Sequence, residues 1–447
     1  MLQWFLADLR TGNIQGYLPV LSGQWSRRLN EPETLEATVS MRNPDVIALN
    51  MRVASRTGRS LLVCASDDAV LGAGIVWSRR YTRDSRRLQL TAKGVWSYYD
   101  HRYILPVLAE TTDVADFTIP DPDDETKTIP NPDLSTTLTG LELGTIAKKL
   151  VQQAHAWTGG ALPIVFEDDR TGTHERAFKG PEFKNIGTVL DQLTQVEGGP
   201  DIVFQPRFTA DRLGVEFVLR TGTEATPQLF GSAVHQWNMG ASDAAISDLE
   251  IVEDASDLAG LAWLTGGRSL DEVLVSRSSD TGLVDDGYPL FELLDSSHSS
   301  VEEQPTLDGY AAEATAAGGA PVELWSFSVR SSKQPTLGSY WEGDFCDIDV
   351  PAYGGGVRGT TILPDDEGLV STLDLPSSVD GEGLVDVGPY TEDGEGLVEI
   401  STGIERTPII GDPFLLEGGT FRRRIVGMSG DDRGDWVNIT TAPERVV

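Results

Sequence analysis

Gly74-Ile-Val-Trp-Ser-Arg-Arg-Tyr81, then Arg83-Asp-Ser85, then Leu88-Gln-Leu-Thr-Ala92 is the stretch on which the fold reading turns. Leu88, Leu90 and Ala92 alternate with Gln89 and Thr91, the period-two pattern of a strand with one buried face, and a polar turn separates this run from the apolar run before it. Upstream the same grammar repeats. Leu2, Trp4 and Leu6 alternate with smaller or polar neighbours. Thr11-Gly12-Asn13 then turns the chain before Tyr17-Leu-Pro-Val20, and further runs follow at Glu36–Met41 and Ser60–Ala65. Short strands at this spacing predict an antiparallel sandwich or barrel. Arg79-Arg80 and Arg86-Arg87 flank the turn, as a solvated hairpin tip or as a docking surface for an acidic neighbour.

Downstream the pattern changes twice. Residues 116–139 contain Ile119-Pro-Asp-Pro and Ile129-Pro-Asn-Pro at a spacing of ten, and read as a polar loop without regular structure. The acids at 121, 123 and 124 lack the glycine and distal Glu of a calcium loop. From 140 to 204 the chain reads as α/β. Ile146, Leu150, Val151, Ala154 and Trp157 recur at helical spacing until Gly159-Gly160, a strand covers Leu162–Phe166, and a second helix spans Asn185–Val196. Asp201–Phe208 and Gly214–Arg220 form a hairpin. From 231 strands dominate again, broken by a helical Tyr310–Ala317, with an alternating strand at Phe345–Val350 and a last one at Trp436–Thr440.

The chain has 447 residues, too many for one core, and 39% of them are hydrophobic, enough to pack several. Sixty-nine acids against 35 bases give −34. Residues 1–110 carry +4, so the rest carries −38, which disfavours sequence-specific nucleic-acid binding. The acid excess peaks within a Gly-rich insertion at about 355–405. There Asp366-Glu-Gly-Leu-Val, Gly381-Glu-Gly-Leu-Val and Gly394-Glu-Gly-Leu-Val repeat, as acidic hairpins or as a divalent-cation site. No stretch is long and apolar enough to insert in a membrane, and the N-terminus lacks the basic start of a signal peptide.

Enzyme signatures are missing. No lysine follows a glycine, so no phosphate-binding Gly-Lys-Ser/Thr loop exists, and no Gly-x-Ser-x-Gly elbow is present. Histidines 101, 155, 174, 235 and 298 are too far apart for a zinc pair. His155 reads as a packed or surface residue, and Cys64, one of two cysteines with Cys346, as a small buried hydrophobe. The expectation is that no catalytic, cofactor-binding or metal-binding residue can be assigned, and that the protein is not an enzyme. A glycosidase would need only two carboxylates, which 69 acids make uninformative. Trp96, Tyr98 and Tyr99 are the candidates if the chain were a glycan-binding adhesin.

Tyr17-Leu-Pro-Val with Trp25-Ser-Arg-Arg-Leu-Asn-Glu-Pro resembles the opening of minor tail proteins of long-tailed actinobacterial phages. Gly94-Val-Trp-Ser-Tyr-Tyr-Asp-His-Arg, Val196-Glu-Gly-Gly-Pro-Asp-Ile-Val-Phe-Gln-Pro-Arg, Asp254-Ala-Ser-Asp-Leu, Gly287-Tyr-Pro-Leu and the Gly-Asp pairs at 343–344 and 411–412 resemble the same family, in order. The acidic repeats depart from it. The resemblance implies a mainly β protein with an inserted α/β domain and two tail-tube-like barrels. The first is 1–115 completed by about 205–245, the inserted domain 140–204, and the second 246–447. It further implies a homotrimeric baseplate hub at the virion tail tip, assembled in the host cytoplasm. Its partners would be the tail tube or distal tail protein, the tape measure protein and other tail-tip or receptor-binding proteins. It would line part of the channel for DNA ejection, where an acidic lumen would not hold a passing polyanion.

Overall fold

The computed structural model describes residues 2–66, 69–124, 126–240, 246–269, 272–298, 301, 303–352, 359–364, 370–375, 415 and 418–443. They form two compact units. The first holds residues up to Ala233, Asp248–Phe345 and the chain from Arg424; the second holds Val234–Ser247 and Cys346–Arg423.

The first unit begins with β1 (Gln3–Asp8), β2 (Ile14–Tyr17), β3 (Val20–Arg28) and β4 (Thr34–Ser40). Two short helices, α1 (Pro44–Ala48) and α2 (Met51–Ala54), lead to β5 (Ser60–Ala65), β6 (Val70–Thr82) and β7 (Arg87–Gly94). The run Gly74–Ala92 lies in the β6–β7 hairpin, with Tyr81 opposite Leu88 and Thr82 opposite Arg87. Alternation decides which faces are buried: Leu88, Leu90 and Ala92 point inward and Arg87, Gln89 and Lys93 outward.

After α3 (Trp96–Tyr99) come β8 (Thr118–Pro120) and β9 (Thr128–Pro130). These two fall in the loop that was expected to lack regular structure. The spacing of ten sets Ile119 opposite Ile129 in a minimal antiparallel pair, and Asp121 N donates to Lys127 O at 3.0 Å to close the turn. Proline is tolerated because an unpaired edge needs no N–H.

The inserted α/β region comprises β10 (Thr136–Leu141), α4 (Leu143–Ala156), β11 (Ile164–Phe166), β12 (Thr171–Phe178), α5 (Ile186–Thr194), β13 (Ile202–Phe208) and β14 (Val215–Thr221). β11 pairs in parallel with β14, which pairs antiparallel with β13. In α4, Leu143, Ile146, Ala147, Leu150, Val151 and Ala154 form one buried stripe. The helix stops where Gly159 takes φ +78° and where a Cβ on Gly160 would lie 2.2 Å from Ala154 O. Asn185 caps α5, its side chain accepting from Thr188 N at 2.9 Å.

The chain continues through β15 (His235–Asn238), β16 (Ile246–Asp254), β17 (Leu261–Ser269), β18 (Glu272–Ser279), α6 (Gly282–Asp285) and β19 (Glu292–Asp295). Then follow α7 (Gln304–Ala317), β20 (Val322–Arg330), β21 (Phe345–Val350), β22 (Gly359–Pro364), β23 (Val370–Leu375), β24 (Gly419–Asp431) and β25 (Trp436–Pro443). In the first unit the main sheet runs β16-β20-β25-β24-β3-β4-β7-β6-β5-β1-β2. The late strand β24 therefore lies beside β3, Gly430 opposite Trp25, so early and late sequence share one sheet. Its ends are β16 and β2, an open path among the described residues. A second sheet, β18-β17-β19, carries α7, whose Leu307, Tyr310 and Ala311 join one core with Leu150, Ile186, Phe204 and Phe217 of the α/β region and Leu61 and Ile75 of the main sheet. The class is mainly β, with an inserted α/β region and several sheets, as the sequence led one to expect.

The second unit pairs β15 in parallel with β21, His235 opposite Cys346 and Asn238 opposite Asp349. Arg422 Nε donates to Asp347 at 2.9 Å and Thr420 to Asp349 at 2.6 Å. β22 and β23 form an antiparallel pair from Gly359–Leu375 to Pro364–Val370. The rest of the acidic insertion, including the repeats at 381–385 and 394–398, lies outside the described residues, as do Gly411-Asp412.

Candidate functional site

β3 alternates Gly23, Trp25 and Arg27 on its buried side. A guanidinium thus enters the core at a position the strand period reserves for an apolar residue, and Arg27 is 1% exposed. Its partners come from far along the chain. Nε donates to Glu342 Oε1 at 3.1 Å, Nη2 donates to the same oxygen, and Nη1 donates to Leu71 O at 3.2 Å. Glu33 Oε1 lies 3.5 Å from Nε, and the Trp341 ring centroid lies 4.9 Å from Arg27 Cζ. Two carboxylates therefore face one cation. Glu33 Oε2 accepts from Ala73 N at 2.8 Å, while Glu33 Oε1 and Glu342 Oε2 have no hydrogen-bond donor among the described residues. Burial, more than the opposing pull of Arg27, pushes the Glu33 carboxyl up to about 7. Burial also works against the Arg27 charge, but Glu342 and Glu33 outweigh it and its pKa is raised.

A second node sits at the turn after β3. Asn30, at φ +60°, donates through Nδ2 to Asp201 Oδ1 at 3.1 Å and accepts Ile202 N at 2.8 Å. Asp201 Oδ2 accepts Leu229 N at 2.8 Å and Nη2 of Arg424. Arg424 also donates to Leu229 O at 2.7 Å and Gly343 O at 3.3 Å. Gly343 has φ +97°, and a Cβ there would lie 2.5 Å from Leu229 O. Asp344 Oδ2 accepts Trp341 N at 2.9 Å, and its carbonyl accepts Ile425 N at 2.9 Å.

Three phrases from the sequence reading meet here: Trp25 to Pro32, the Gly-Gly-Pro-Asp ending at Asp201, and Gly343-Asp344. Chemically the junction is a tie. Each guanidinium is held, away from solvent, by a carboxylate brought from a distant part of the chain. Sequence reading missed Arg27 and Glu342 as partners. The one signal was Arg27 two residues after Trp25 on an alternating strand.

The other flagged residues lie apart. Trp96 and Tyr99 are buried; Tyr99 stacks on Phe204 at 5.5 Å and its hydroxyl lies 3.0 Å from His155 Nε2. Two of the three aromatics proposed for sugar stacking are thus core residues. Burial, with Arg102 nearby, lowers His155 to about 4, so it is neutral at pH 7. Cys64 is buried and its thiol is pushed well up by desolvation. His101 packs on Trp77, His174 lies 3.5 Å from Glu224, and His298 stacks on Tyr310 and lies 3.0 Å from Asp295. Among the described residues no three His, Cys, Asp or Glu side chains gather as a metal site. The concavity beside α4, lined by Thr145, Lys148, Glu167 and Arg170, is a shallow depression with no enclosed space even for a water, far short of the ~300–1,000 Å³ of ligand pockets. Its charges are paired, Arg170 with Glu142 at 2.6 Å and with Glu167 at 3.1 Å. No described helix is long and apolar enough to cross a membrane.

No family model matches the chain and no curated relative aligns with it. Its likenesses include tail proteins of known structure. The tail protein from Neisseria meningitidis MC58 is 10% identical with a TM-score of 0.48, covering 99% of this chain and 96% of its own. The 43 kDa tail protein of prophage MuSo2 from Shewanella oneidensis is 10% identical with a TM-score of 0.48, covering 98% and 97%. Prophage tail protein gp18 from Listeria monocytogenes EGD-e is 10% identical with a TM-score of 0.42, covering 100% and 95%.

Proposed function

We propose that this chain is a non-enzymatic structural hub of a phage tail tip or baseplate. In this reading three copies close a ring between the tail tube or distal tail protein and the distal host-binding parts, beside the tape measure protein, and border the channel through which DNA is ejected. The observation that carries it is the convergence of three of the phrases that resemble minor tail proteins. They lie up to 315 residues apart and meet in a buried charge junction that fixes the main sheet, the α/β region and the late strand β24. Residues spent on rigid joints suit a load-bearing scaffold. An adhesin reading loses support because Trp96 and Tyr99 are inside.

Electron microscopy of the assembled full-length chain tests the proposal. A threefold ring with a central opening is the expected image. Particles without rotational symmetry, together with specific binding to host glycans, would overturn it.

A further inference from the structure

Residues 41–59 and 79–87 together contain nine arginines and two acids, a charge of +7. The whole chain carries −34, which leaves −41 on the remaining residues. The fold gathers these segments. Arg79 Nη1 donates to the carbonyls of Met51 at 3.2 Å, Arg52 at 3.0 Å and Ser55 at 3.2 Å, fixing the end of α2 to β6. Met41 N donates to Arg86 O at 2.8 Å, and Ser40 pairs with Arg87, which sets Arg42 beside the hairpin tip. Arg42, Arg52, Arg80, Arg83, Arg86 and Arg87 are exposed. None of these six forms an ion pair among the described residues. Exposed apolar side chains lie among them: Ile47 at 56%, Val53 at 52% and Tyr81 at 55%.

We propose that this face docks on the acidic surface of a second copy of this chain. Charge complementarity selects the partner: each copy sets a concentrated basic face against a chain whose remaining residues carry −41, so a head-to-tail contact satisfies both charges and forms a ring where its rotation closes. The arginines alone would serve a phosphate backbone equally well; the exposed Ile47 and Val53 beside Tyr81 select protein, because aliphatic side chains gain from a protein surface and nothing from phosphate. The inference names the surface that the ring of the preceding section would use, and it stands on the charge distribution whether or not that ring belongs to a tail.

Sedimentation velocity of the full-length chain, from about 1 to 100 µM at low and high salt, compares wild type with R80E/R83E/R86E/R87E and the milder R80Q/R83Q/R86Q/R87Q. Near-UV circular dichroism checks that each variant is folded. The expected result is association weakened at least about tenfold by charge reversal and less by neutralisation. A trimer that both folded variants keep would overturn this surface and leave the ring reading standing. A wild type that stays monomeric would overturn both. Retardation of a duplex DNA by the wild type, lost in the variants, would show that the basic face serves a nucleic acid and overturn the proposal.

Discussion

Arg27 is the residue with most at stake. Removing the cation leaves the Glu342 carboxylate buried and unpaired and drives Glu33 to its neutral form, so Arg27→Ala should cost ~3–5 kcal/mol in urea unfolding. Removing Arg27, Glu33 and Glu342 together, as R27A/E33A/E342A, should cost less than that single change beyond the lost packing. A triple variant clearly worse than Arg27→Ala by more than its lost volume would contradict the account of two acids sharing one cation. Glu33 adds a pH signature. Its carboxyl titrates near 7 in the folded chain against an ordinary 4.5, so the folded state binds more protons between those values. The stability this proton contributes is complete below about pH 4.5 and is lost as pH rises through 7. Glu33→Gln should therefore match wild type near pH 5 and gain up to ~3 kcal/mol over it at pH 8. A difference that does not change with pH would refute the assignment. Little of this was legible: β3's alternation pointed Arg27 inward, but Glu342 lies 315 residues away and Asp201 is 223 from Arg424, and no local pattern encodes such pairings.

At the scale of elements the sequence was more open. Ser60–Ala65 and Phe345–Val350 were read with their observed bounds, and Asn185, taken as a helix start, is the cap of α5. Asn185→Ala should cost ~1 kcal/mol in thermal unfolding, since it also frees Asp100 O from the Nδ2 donor at 2.7 Å. Glycine conformation gives a sharper test. Gly343→Ala meets both a left-handed φ and the Leu229 carbonyl, and should cost at least ~2 kcal/mol. Gly58→Ala, at φ +69° in open space, should cost only ~1 kcal/mol. Equal costs would mean the Gly343 joint is slack. The Ile-Pro pairs deceived because proline spacing was read as breakage, whereas two three-residue edges need few N–H donors. β24 hid behind Arg422-Arg423-Arg424, whose second and third members are buried, the third by Asp201. Charge runs look like solvated surface until a partner from elsewhere neutralises them.

For the whole molecule, the succession of β, α/β and β followed from strand period, helical stripes and turn residues, while the α/β part's being an insertion was implied by the resemblance. The union of early and late strands in one sheet did not, because strand partners distant in sequence are chosen by tertiary packing. Charge asymmetry was legible from composition, and the fold gathers arginines of 41–59 and 79–87 on one face. The central claim, a ring-forming scaffold, is met most directly by the solution mass of the full-length chain from light scattering across about 1–100 µM. Three copies of 48.4 kDa predict a mass of about 145 kDa that holds on dilution. A mass of 48.4 kDa over the whole range would contradict it.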